Sequence, residues 1–131
     1  MNGLRPLRIG PFNRGCVAKV IFENRKDDGE WVDMTGKKIW LTAKSEPYDF
    51  RTNDNSALFK VEGTIDAEEI GRATFQLTEK ETWLDPEEPY FFDIVATDSD
   101  GTNAERLAIG EFRIIGGANN AQAGGDENYG R

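Results

Sequence analysis

The chain has 131 residues, 37% of them apolar, with 24 acids against 16 bases and no histidine. That length fits one domain with a core of its own. The lack of histidine excludes His-based acid–base work, His-ligated zinc and the Ser-His-Asp and Cys-His nucleophile systems. The single cysteine, Cys16, excludes an intramolecular disulfide; beside Val17, at the start of an apolar stretch, it reads as a small buried hydrophobe. No apolar run nears the ~20 residues of a membrane-spanning helix. The opening residues lack the apolar core of a secretory signal, so a soluble protein made in the cytosol is expected.

Charge is unevenly placed. Residues 1–20 carry Arg5, Arg8, Arg14 and Lys19 and no acid, whereas the rest holds all 24 acids of a chain with net charge −8. Such an acidic body repels phosphate backbones, which argues against nucleic acid as a partner. The basic front, punctuated by Gly3, Pro6, Gly10, Pro11 and Gly15, reads as an arm over residues 1–14. Docking on an acidic surface, including that of an identical neighbour, is its expected use.

Beyond the arm the apolar signal has period two, as in strands, and no helical periodicity is sustained. Cys16 to Phe22 is a β-rich run, broken by the charged stretch ending at Gly29. Glu30 to Met34 is a short extended piece, turned by Thr35-Gly36. In Lys37 to Lys44, Ile39, Leu41 and Ala43 share one face, and Trp40, Thr42 and Lys44 the other. Trp40 is the largest core candidate here, with a rim position as the alternative. Ser45 to Ser56 is a polar loop. Leu58 to Thr64 is strand-like, Asp66 to Ile70 is a loose turn or a continued hairpin, and Arg72 to Thr78 alternates with Ala73, Phe75 and Leu77 inward. Thr78 with Glu81 three residues on has the spacing of a capping box, which predicts one helical turn.

Tyr90, Phe92, Ile94 and Ala96 form the inner face of the next strand. In the return strand Leu107 and Ile109 share a parity opposite to Phe112 and Ile114, which predicts a β-bulge at Gly110. Between these strands lies Asp98-Ser-Asp-Gly-Thr-Asn103. Its first acids are spaced like calcium-loop ligands, but Gly101 falls fourth and Ile109 twelfth, where such a loop needs Gly sixth and Glu twelfth. Asp-Gly between two alternating arms is a hairpin signal, so a turn is expected and no metal. The adjacent acids Asp27-Asp28, Glu68-Glu69 and Glu87-Glu88 read as solvated surface, not as a glycosidase pair. No catalytic residue and no cofactor is expected. Residues 117–131 are rich in Gly and Asn and cannot bury enough apolar area to offset their ordering entropy, so a flexible tail is expected.

The pattern predicts an all-β chain: an immunoglobulin-like antiparallel β-sandwich of about seven strands over residues 15–116, with extended N- and C-terminal arms. Trp31 and Trp83, in or beside acidic loops, are candidate ligand-stacking aromatics of a carbohydrate-binding module, which makes a host glycan a candidate partner. Four stretches carry a more specific likeness: Lys37 to Lys44, Gly71 to Thr78, Pro89 to Val95 and Arg106 to Ile114. Together they resemble small β-sandwich structural proteins of tailed bacteriophages, such as the N-terminal domain of phage baseplate upper proteins, with Phe92 where a second tyrosine is usual. The likeness covers about residues 37–115. It implies a virion protein made in the host cytoplasm, part of the tail, baseplate or fibre attachment, that binds other virion proteins and its own copies and spans no membrane. A capsid decoration or neck protein is the nearest alternative. Arg5, Arg8, Arg14 and Lys19 are then the expected protein-interface residues of the arm.

Overall fold

The computed structural model describes residues 5–46 and 57–116. The expected loop tip over residues 47–56, the first four residues of the arm and the tail over 117–131 lie outside the described residues. The elements are β1 (Arg5–Arg8), β2 (Phe12–Asn13), β3 (Ala18–Glu23), β4 (Lys38–Lys44), β5 (Ala57–Glu62), β6 (Thr64–Ile65), β7 (Arg72–Leu77), β8 (Tyr90–Thr97), β9 (Glu105–Phe112) and β10 (Ile114–Ile115). No helix occurs among the described residues, and the class is all-β.

Among the described residues three sheets form: a five-stranded one in the order β1-β9-β8-β4-β5, a three-stranded one in the order β3-β7-β6, and the small pair β10-β2. Alternation in the sequence dictates the faces. Ile39, Leu41 and Ala43 of β4, Ala73, Phe75 and Leu77 of β7, and Tyr90, Phe92, Ile94 and Ala96 of β8 are all buried, on the parities expected from period two. One apolar cluster draws on all three sheets. Phe112 is its aromatic hub, with the rings of Phe12, Phe59, Tyr90 and Phe92 centred 5.6, 6.2, 5.4 and 6.5 Å away. Trp40 lies on the outer face of β4, half-buried, with the Lys60 ammonium 4.9 Å from its ring. Its parity with Thr42 keeps it off the core side.

Two expectations are corrected. The bulge in β9 is at Leu107, not Gly110: Ile94 pairs with Ala108 and Val95 with Arg106, which leaves Leu107 as the extra residue. Ala108 is the buried inward residue, so the phase of Phe112 runs unbroken through Gly110 to Ala108. A small alanine carries the inward position, and the larger Leu107 and Ile109 mask it in the sequence. Gly110 answers a different need. It pairs with Phe92 and with Leu7, and a Cβ there would sit 1.9 Å from the Leu7 carbonyl oxygen.

The second correction concerns the N-terminal segment. Within the stretch read as a separate arm, β1 pairs in parallel with β9 and β2 in parallel with β10. The Phe12 side chain is buried in the common core. Apolar Leu7, Ile9 and Phe12, spaced among the basic residues, give this segment a face to bury. The domain thus begins inside the segment, ahead of residue 15.

The Asp98–Asn103 segment is a turn, as expected. Asp98 N–H donates to Thr102 O at 2.8 Å and Gly101 N–H to Asp98 O at 2.9 Å. Thr78 and Glu81 also meet, the Thr78 N–H donating to the Glu81 carboxylate at 2.6 Å. The single turn they define presents Thr82, whose hydroxyl donates to Cys16 O at 2.7 Å. That bond satisfies the hydroxyl of a residue that is 1% exposed and ties the 78–82 turn to the segment leading into β3.

Candidate functional site

The side chains expected to act fall into three places. The first is the turn between β8 and β9. The Asp98 carboxylate accepts from Asn103 Nδ2 at 2.7 Å and from Lys37 Nζ at 2.9 Å. These bonds, Asn103 first and then the Lys37 bond and charge, hold its pKa below 3.8. Asp100 is likewise held low, by the Thr102 hydroxyl and then the Thr102 N–H. Both Asp98 oxygens and the Asp100 Oδ1 thus accept from donors of the protein itself. No cluster of acids, cysteines and histidines suited to a metal occurs among the described residues.

The second place surrounds Trp31. A short hairpin from Asn24 to Val32 returns Trp31 beside Arg25. The Arg25 guanidinium lies 3.7 Å over the indole. Trp31 also crosses Gly71 closely enough that a Cβ there would stand 2.6 Å from its ring. Arg72 reaches Glu23 at 3.2 Å and Glu69 at 3.1 Å, with its guanidinium 5.9 Å from the same indole. An arginine and a glycine backbone therefore occupy what a stacked sugar would need.

The third place surrounds Trp83, which is 42% exposed. Arg14, an expected interface residue, lies 4.0 Å over its ring, so a residue read as arm and a residue read as ligand platform meet each other. The Arg14 Nε is buried and has no hydrogen-bond partner among the described residues. Trp31 and Trp83 lie past opposite ends of the β3–β7 ladder, beyond Glu23–Arg72 and beyond Ala18–Leu77 respectively, and the ladder between them is itself roughly 16 Å long at ~3.3 Å per residue. They do not form one platform. Of the other expected interface residues, Arg5 and Arg8 belong to β1, where Arg8 faces Glu111 at a long 3.9 Å, and Lys19 projects from β3.

The surface residues that sequence reading passed over are apolar. Val17 is 73% and Ile21 56% exposed. Both lie in the β-rich run, and the signal was available: Ile21 shares parity with charged Lys19 and Glu23, opposite to Val20 and Phe22. Beside Ile21 is a groove of about 390 Å³ between β3 and the β1–β9 edge, with Leu7, Phe22, Leu107 and Ala108 in its walls. Such exposed apolar edges suit contact between chains. Comparison with protein-family models and with curated proteins finds no match.

Proposed function

We propose that this chain is a structural component of a tailed-phage virion, a tail, baseplate or fibre-attachment protein that acts by binding other virion proteins and copies of itself, with no catalytic role. We infer with it the finer fold, an immunoglobulin-like β-sandwich in which the five-stranded and three-stranded sheets are the two layers. One observation carries the reading. The four stretches that resemble phage structural proteins coincide with β4, β7, β8 and β9, which supply three adjoining strands of the five-stranded sheet, the central strand of the three-stranded one and most of the core. The fold inference has separate support at the entry to β8, where the Tyr90 hydroxyl donates to Asp85 O at 2.7 Å. A tyrosine that turns back in this way at the start of the next-to-last long strand is similar to the tyrosine corner of immunoglobulin-like sandwiches, which supports that reading.

A virion protein has to stay soluble as a free subunit and then pack against neighbours. Net charge −8 serves the first need through mutual repulsion; the exposed apolar edge residues serve the second. The glycan-binding reading is the weaker one, given Arg25 over Trp31 and Arg14 over Trp83. The test is electron microscopy of phage particles labelled with antibody against the purified chain. Label on the tail or baseplate is the expected result. Label on the capsid or neck would move the chain to the alternative position, and its absence from purified particles would end the proposal.

A further inference from the structure

Among the described residues, β3 has a neighbour on one side only. It is the outer strand of the order β3-β7-β6, paired through Ala18–Glu23 with β7. The Asn24 N–H donates to Gly71 O at 2.8 Å. By the antiparallel alternation, Phe22, Val20 and Ala18 therefore turn their main-chain groups toward β7, and Lys19, Ile21 and Glu23 turn theirs to the open edge. The same three residues put their side chains on the solvent side. The β1 edge across the groove carries Pro6, which has no N–H, and charged Arg8, two common protections against edge pairing. β3 contains no proline and no bulge.

We propose that β3 is a self-association edge, on which a second copy of this chain lays its own β3 antiparallel about a two-fold axis at Ile21. The charge pattern selects both the partner and the register. With Ile21 opposite its own mate, Lys19 faces the partner's Glu23 and Glu23 faces the partner's Lys19, so two opposite-charge pairs flank one apolar pair. Moving the axis to Phe22 sets Lys19 against the partner's Arg25, and moving it to Val20 leaves Glu23 against the partner's Val17. An axis at Lys19 or Glu23 opposes like charges. Lys19 has no contact of its own to lose, since it makes no ion pair or hydrogen bond among the described residues. On the inner face Val20 meets the partner's Phe22, which continues the apolar surface across the joint. A contact of this kind is isologous and closes at two copies. It stands whether or not the chain belongs to a virion.

The full chain, followed by sedimentation over a range of concentrations, should show a monomer–dimer equilibrium. Ile21→Lys places like charges on the axis at an exposed position and should weaken dimerisation about tenfold or more, with the circular dichroism spectrum unchanged. Lys19→Glu and Glu23→Lys should each be monomeric alone, yet form a heterodimer when mixed, because the mixture restores both opposite-charge pairs; native mass spectrometry reads this directly. Glu23 also bonds Arg25 and Arg72, so should Glu23→Lys fail to fold, Ile21→Lys and Lys19→Glu decide. A chain monomeric at every concentration, a dimer indifferent to Ile21→Lys or Lys19→Glu, or a mixture of folded variants no more associated than its parts would overturn the proposal.

Discussion

At Gly110 two strands approach so closely that a side chain has no room. The Leu7 carbonyl oxygen occupies the place of a Cβ, and the Phe92 ring stands 2.8 Å from it. Gly110→Ala should therefore push β1 off β9. We expect a loss of about 1–3 kcal/mol, typical of overpacking, read by urea denaturation, with faster amide exchange over residues 5–8. Tyr90 makes a different demand. Its ring is buried against Phe112 while its hydroxyl reaches back to Asp85 O, and burial pushes the phenol pKa up. Tyr90→Phe keeps the ring and removes the donor to the Asp85 carbonyl. A loss of about 1–2 kcal/mol is expected in the same measurement.

Among the elements, the β8–β9 turn carries the clearest pH dependence. Asp98 and Asp100 both titrate below the ordinary 3.8 in the folded chain. A carboxylate with a depressed folded pKa adds stability that is fully present above its unfolded value and lost as pH falls through the folded one. Thermal melts from pH 5 downward should show stability falling below about pH 4. Asp98→Asn, which cannot ionise, should flatten part of that fall. The N-terminal strands make a second prediction. Because Phe12 is buried and β1 and β2 pair with the last strands, deletion of residues 1–14 should lower the urea midpoint, not leave an intact domain. The loss of Phe12 alone should cost about 3 kcal/mol or more.

For the whole molecule, a single apolar cluster joins all three sheets, so no part has a core to itself. Unfolding should be one transition, with tryptophan fluorescence and far-ultraviolet circular dichroism giving the same denaturant midpoint. Distinct midpoints would show that one sheet survives the other.

The sequence by itself determined the class and most of the inward residues. In β4, β7 and β8 large apolar residues alternate with polar ones, and burial of one face of a strand is a local consequence of its two-residue period. It also determined the acidic turn, since Asp-Gly between two such strands has few other uses. Tertiary structure decided the rest, because parallel pairing and strand order join residues about a hundred positions apart and leave no short-range periodicity to read. Only the assembled sheets draw β1 and β2 into the domain, move the bulge to Leu107 by burying Ala108, and lay arginines over both loop tryptophans. The open edge at Ile21 is decided there too: a strand becomes outermost only through the absence of a neighbour, and no residue encodes that alone.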